Sequence, residues 1–289
     1  MHLVKKRNEV QLLENLEIIE LIKIFVLSIV QGITEWLPVS STGHMILIDE
    51  FIKLSIRPEF TEMFLVLVQL GSIFAVIVIY FHKLNPFSPK KSKEDRKATW
   101  IIWFKVVVAT IPAVIFGFIL EDYMDAYFYN PWVVSIALIV YGFVFIWIEN
   151  KHQGKHSHSI AELSRITYLD AFKIGLFQSL AIIPGTSRSG STIIGGLLLG
   201  MDRNVATEFS FYMSIPIMFG ASFLKLIKFG FDFTSAELIY LLSGMLVAFI
   251  VSLIAIKFLL SYIKRNDFKV FGYYRIILGS LVILYFLFN

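Results

Sequence analysis

The chain has 289 residues, 57% of them hydrophobic and 17% charged, with a net charge of +4 and a mean hydropathy of +0.73. Soluble domains carry about a quarter charged residues, so this composition excludes an ordinary soluble domain, and the lack of cysteine excludes disulfides and thiolate chemistry. The basic residues are dispersed between apolar runs rather than gathered on one face, which argues for a membrane protein and against a nucleic-acid partner.

The N-terminus has Lys5, Lys6 and Arg7, followed by Glu14, Glu17 and Glu20 with no small-residue cleavage site, so a cleaved signal peptide is not expected. Residues 1–16 form an N-terminal extension to which no role is assigned. From Glu17 to Lys53 the chain is apolar but interrupted by "WLPVSSTGHMIL". Three plain spans are expected next, at Glu62–Phe81, Trp100–Leu120 and Trp132–Glu149. The connections between them are a basic loop, His82–Thr99, and an acidic one with Glu121, Asp122 and Asp125. A loop containing His152, His156 and His158 follows, read as solvated loop rather than metal tract. The stretch Tyr168–Gly200 is again interrupted, by "IIPGTSRSGSTII". Three more spans are expected at Val205–Lys228, Glu237–Leu260 and Gly272–Phe288. Glu62 and Glu208 read as helix-start carboxylates, and Lys23, Lys105, Lys225 and Lys257 as snorkelling side chains.

The second half of each interrupted stretch has about 12 residues, roughly 18 Å of helix against a hydrocarbon core of about 30 Å. Each stretch is therefore expected to enter the membrane, turn and leave on the same side. Non-helical backbone at that depth must line a cavity or be satisfied by protein. The expected fold is an all-α polytopic membrane protein, a single integral membrane domain over residues 1–289. It has an inverted-topology repeat, each half a re-entrant helix hairpin plus three transmembrane helices, over about 17–149 and 168–288. Pro38-x-Ser40-Ser41-Thr42-Gly43 aligns with Pro184-x-Thr186-Ser187-Arg188-Ser189-Gly190 with a one-residue slip. Paired broken helices in such a repeat place a site where the breaks meet. Loops 82–99, 150–167, 201–204 and 261–271 together carry thirteen Lys and Arg, so that side is expected in the cytoplasm and both termini outside.

The breaks hold the candidate chemistry. Gln31 and Glu35 lie one helical turn apart, and Ser41 and His44 share a face, so an imidazole stands beside a hydroxyl it can activate. Ser40 or Ser41 is placed to cap the outgoing helix. In the second break Gly185 and Gly190 admit a ligand close to the backbone, Thr186, Ser187, Ser189 and Ser191 offer hydroxyls, and Arg188 offers a fixed forked cation. A helix beginning near Ser189 adds its positive end. An anion cradle opposite a Ser–His pair implies phosphoryl transfer, with Gln31 and Glu35 as hard ligands for Mg²⁺ or Ca²⁺.

"QGITEWLPVSSTGHMIL" and "PGTSRSGSTIIGGLLLG", with "VQLGSIFAVIVIYF" and "EFSFYMSIPIMFGASFL", closely resemble the undecaprenyl-diphosphate phosphatase family, the bacterial bacitracin-resistance proteins, over most of the chain from about residue 17. The resemblance implies hydrolysis of undecaprenyl diphosphate to the monophosphate carrier, a divalent-cation requirement and a site opening to the extracytoplasmic side of the cell membrane. It implies that Ser41 is the nucleophile, His44 and Glu35 its catalytic partners, and Gln31 with Glu35 the acidic motif. Gln31 stands where some members have Glu, which leaves Glu35 as the main acid. Arg188 is the implied phosphate ligand, in a cradle with Thr42, Gly43, Thr186, Ser187, Ser189 and Gly190. The expected mechanism is attack by Ser41 with His44 as base, the other route being direct attack by His44 with Glu35 as proton shuttle. The partners are then the polyprenyl diphosphate and the bilayer, with a homodimer as the assembly considered. Two rivals are weighed. A lipid-phosphatase class with a second histidine after its arginine is disfavoured, because Ile193, Ile194, Gly195 and Gly196 stand there. A polyprenyl-phosphate transporter or flippase would use the same architecture.

Overall fold

The computed structural model describes residues 2–152 and 160–288, without the side chains of 2–16, Asp49, Glu50, Glu121, Asp125 and His152. His156, His158 and the His152 side chain thus lie outside the described residues. Among the described residues the regular structure is helical, apart from one isolated bridge between Ile160 and Met201.

Six helices among the described residues are long and apolar enough to cross a membrane. They are α3 (Pro58–Ile79), α5 (Lys93–Tyr127), α6 (Pro131–His152), α9 (Arg203–Phe229), α10 (Ser235–Ile263) and α11 (Lys269–Phe288). Five of them contain an expected span whole, and α3 ends at Ile79, two residues short of the end of the expected Glu62–Phe81 span. α5 is longer than expected at both ends, because the polar residues of 121–127 include no Gly or Pro to break it. Ser92, Thr167 and Thr234 start α5, α7 (Tyr168–Ser179) and α10 with capping boxes, each hydroxyl accepting from the third helical N–H.

The two interrupted stretches form helix pairs. α1 (His2–Thr34) is followed by α2 (Ser41–Phe51), and α7 with a 3-10 turn (Leu180–Ile182) by α8 (Arg188–Leu198). Lys23 donates to the Lys53 carbonyl at 2.7 Å and the Ser55 N–H to Glu20 at 2.9 Å, so the segment just after α2 lies beside the Glu20–Lys23 turn of α1. Arg57–Glu237 and Lys225–Glu62 ion pairs tie neighbouring segments there. Elsewhere, Ile160 exchanges main-chain hydrogen bonds with Gly200 and Asp202, placing the approach to α7 beside the exit from α8. Lys83–Glu208 and Arg203–Glu149 pairs join α9 to the α3–α5 connection, which includes α4 (Phe81–Leu84), and to α6. Lys105 departs from the snorkelling expectation: it is 5% exposed and donates to the Ser164 carbonyl.

A constant shift of 147 residues carries Ser40 onto Ser187 and Gly43 onto Gly190. Both serines have φ of 73°, and each caps its helix by accepting from the matching glycine N–H. No slip is needed in this register; the alignment on Pro38 and Pro184 was one residue off because the cap serine, not the proline, fixes the local geometry. A non-glycine residue at such φ is strained by about 1–3 kcal/mol, and here two such residues sit at matching breaks.

Candidate active site

Glu35 lies one residue beyond α1, its N–H still bonded to the Gln31 carbonyl at 3.0 Å. The carboxylate is buried. Its Oε2 accepts from Gln31 Nε2 at 3.0 Å and from Ser41 Oγ at 2.7 Å. Ser40 takes the capping role, which leaves the Ser41 hydroxyl, at the first helical position, free to face Glu35.

In the second break Gly185 adopts φ of +91°, and a Cβ there would stand 2.6 Å from the Val134 carbonyl, so only glycine fits against α6. The Thr186 hydroxyl sits within 2.9 Å of the Leu180 and Ile183 carbonyls, bracing the turn. Ser187 caps α8, and the Ser189 hydroxyl reaches across to the Glu35 and Leu37 carbonyls at 3.2 and 3.4 Å. Arg188 also crosses. Its Nη2 donates to Glu35 Oε1 at 2.9 Å, its Nη1 to the Ser210 carbonyl at 3.1 Å, and the guanidinium lies 5.7 Å over the Trp36 ring. Its buried Nε has no hydrogen-bond partner. The helical geometry of α8 also leaves the first-turn N–H groups of Arg188 and Ser189 without an intrahelical carbonyl.

The structure thus joins buried Glu35, Gln31 and Ser189 with half-buried Ser41 and Arg188 into one polar cluster spanning both breaks. Thr42 and Gly43 lie on the first turn of α2, and Thr186, Ser187 and Gly190 surround Arg188 in sequence. The Gly43 and Gly190 N–H groups are occupied by the cap serines, so these two amides are not free to join the expected cradle.

One expected pairing is not made. His44 shares a face with Ser41, yet its Nδ1 lies 2.7 Å from the Ser40 carbonyl and its Nε2 2.6 Å from the Tyr274 hydroxyl. A carbonyl only accepts, so Nδ1 carries a hydrogen and the neutral ring accepts from Tyr274 through Nε2. The residue in hydrogen-bond contact with Ser41 is Glu35. Spacing alone missed this, because the helix-start carbonyl competes for the imidazole.

Sequence reasoning also missed Tyr274 and Arg275 on α11, Ser210 on α9, and Trp36. For Arg275 the signal existed: a guanidinium inside an apolar span marks a functional position. The 147-residue shift also carries Gln31 onto Gln178, whose buried amide has no partner.

Among the described residues no three His, Asp or Glu side chains gather as a metal site. Glu35 and Gln31 supply one carboxylate and one amide beside the Arg188 guanidinium. That donor set fits a hard cation that arrives with phosphate oxygens, the usual situation for Mg²⁺.

Comparison with known proteins adds the family. Residues 24–281 match the model of the bacitracin resistance protein BacA. An undecaprenyl-diphosphatase of Enterococcus faecalis is 58% identical over 92% of this chain and 98% of its own length. One from Desulfitobacterium hafniense is 57% identical over 93% and 97%. An undecaprenyl-diphosphatase 1 of Clostridioides difficile is 55% identical over 95% and 99%.

Proposed function

The chain belongs to the bacitracin resistance protein BacA family, and on that footing we propose that it is a membrane phosphatase that hydrolyses undecaprenyl diphosphate to undecaprenyl phosphate and inorganic phosphate. It recycles the cell-wall lipid carrier and confers bacitracin resistance. The relatives' names favour this reading over a transporter.

The observation that carries the mechanism is the Ser41 hydroxyl donating to Glu35 at 2.7 Å while Arg188 holds the other carboxylate oxygen at 2.9 Å. The lipid tail stays among the apolar helices and the diphosphate enters the polar cluster. Arg188 grips the terminal phosphate through its unpartnered Nε–H and the adjoining Nη2–H, a side-on fork of which Glu35 occupies one prong in this structure. The Thr42 and Ser187 hydroxyls and the first-turn amides of α8 add donors where charge develops, while Thr186 and Ser189, whose hydroxyls donate to main-chain carbonyls, shape the cradle.

Ser41 Oγ attacks the terminal phosphorus and passes its proton to Glu35. The bridging P–O bond breaks and undecaprenyl phosphate departs with that oxygen. Water then attacks the seryl phosphate and leaves its second proton on the released phosphate, the Oγ–P bond breaks, and Ser41 recovers a proton from Glu35. His44, held by Ser40 and Tyr274, lines the α2 side of the site as a catalytic partner. A divalent cation, Mg²⁺ or Ca²⁺, held by Glu35, the Gln31 amide oxygen and the diphosphate would supply charge neutralisation.

The architecture we propose is two inverted halves, each a re-entrant hairpin with three spans. The adjacency of the Glu20–Lys23 turn of α1 with the segment just after α2, that of α7's approach with α8's exit, and the shared 147-residue register support it. The basic loops then face the cytoplasm and the site opens extracytoplasmically. Phosphate release from polyprenyl diphosphate by detergent-purified wild type, Ser41→Ala, His44→Ala, Glu35→Gln and Arg188→Ala tests the assignment. Release by wild type and its loss in Ser41→Ala supports it; no release by wild type overturns it.

A further inference from the structure

Arg275 is fully buried, and its four hydrogen bonds all go to main-chain carbonyls. Nη1 donates to Pro38 at 3.1 Å, Nη2 to Gly185 at 2.8 Å and Thr186 at 3.1 Å, and Nε to Leu138 of α6 at 3.4 Å. The Tyr141 ring covers the guanidinium at 5.5 Å. A desolvated guanidinium is costly at membrane depth, and retaining one without a carboxylate calls for a reason.

The carbonyls supply it. Pro38 lies in the first break, midway between Glu35 and Ser41. Gly185 and Thr186 lie in the second break, immediately before the Ser187 cap and Arg188. These backbone oxygens are free because neither break is helical, and where they face the fully buried Arg275 an unpartnered carbonyl would be costly. One rigid, planar fork therefore fastens the two breaks to each other and to α6. The distance it fixes is the one on which the Arg188–Glu35 contact and the aim of Ser41 depend. With four of its five N–H donors engaged and no exposed surface, the side chain has little left to offer a substrate.

We propose that Arg275 is a positioning residue of the phosphatase, the clamp that holds the two breaks in register so that Arg188 and the Ser41–Glu35 pair converge on one phosphate. The proposal rests on the function given above, and wild-type phosphate release tests that reading separately. A lysine keeps the charge but cannot bridge both breaks, since a point-like ammonium lacks the fork. In protein that remains monodisperse in detergent, Arg275→Lys is expected to lower kcat by at least about tenfold, as a displacement near 1 Å commonly does. KM is expected to stay within about threefold, because uniform substrate binding is untouched.

Coupling separates positioning from general support. If Arg275 acts by aligning Arg188, adding Arg188→Ala to Arg275→Lys costs far less than Arg188→Ala costs in wild type. The native chain has no cysteine, so paired spin labels at Ile33→Cys and Leu180→Cys, both exposed and each beside one break, read the spacing directly. Their distance distribution is expected to broaden or shift in Arg275→Lys. Normal turnover in Arg275→Lys overturns the proposal, as do multiplicative effects of the two substitutions or an unchanged distance distribution. Loss of the folded, monodisperse form in Arg275→Lys assigns the residue to folding alone and overturns it as well.

Discussion

The Glu35 carboxylate and the Arg188 guanidinium meet at 2.9 Å across 153 residues of sequence, with both side chains largely buried. A buried pair of this kind contributes modestly as a pair but is costly to break from one side, because the remaining charge stays desolvated. Each residue belongs to a different break, so the contact, like the Ser189 bonds to the Glu35 and Leu37 carbonyls, directly links the two halves of the site.

The first expectation follows from that asymmetry. Arg188→Ala leaves Glu35 buried and uncompensated and should lower stability by about 3–5 kcal/mol, seen as a drop in melting temperature in detergent. Adding Glu35→Gln removes the stranded charge, so the double variant should melt above Arg188→Ala. Equal melting of wild type and Arg188→Ala would show that the pair is not buried as described.

Tyr274 completes the hydrogen bonding of His44 at 2.6 Å. Deleting the hydroxyl in Tyr274→Phe should cost about 1 kcal/mol, or about fivefold in kcat/KM. In a His44→Ala background the same substitution should have little further effect, since its partner is gone. Steady-state phosphate release from the four combinations reads both numbers, and equal losses in both backgrounds would separate Tyr274 from His44.

Two glycines give a matched comparison. At Gly185 a side chain meets both a φ of +91° and the Val134 carbonyl, whereas a Cβ at Gly117 meets nothing within 4 Å. Gly185→Ala should lose about 1–3 kcal/mol and most of its turnover, while Gly117→Ala should stay within about 0.5 kcal/mol of wild type. Thermal melts and phosphate release on the two proteins check this, and a Gly185→Ala enzyme with wild-type behaviour would contradict the packing of the second break.

Sidedness is open to labelling. Lys90 and Phe231 are exposed and lie in connections assigned to opposite faces. With Lys90→Cys and Phe231→Cys introduced singly, an impermeant thiol reagent added to intact cells should mark only the second. The reverse pattern would invert the proposed orientation.

Much of this was legible in the sequence, and the exceptions have physical causes. Hydropathy located the six long helices because a span must be apolar over about 20 residues, but it could not see that α5 continues through Glu121–Tyr127, since polar residues end an apolar run without ending a helix. Glycine, proline and hydroxyl clusters marked both breaks. The register between them was hidden, because the cap serine and its left-handed φ, not the proline, are the shared feature. Residue types named Ser41, Glu35 and Arg188, yet spacing suggested a Ser41–His44 bond where the rotamers instead give Ser41–Glu35 and His44–Ser40. Tyr274 and Arg275 act on residues more than 80 positions away, and such contacts follow from tertiary packing that periodicity does not encode.

The most direct measurement is single-turnover labelling with undecaprenyl diphosphate carrying a radioactive terminal phosphate, quenched in acid and mapped by peptide. The account predicts acid-stable label on Ser41 in wild type and none in Ser41→Ala. Acid-labile label on His44, or phosphate release by Ser41→Ala at the wild-type rate, would contradict it.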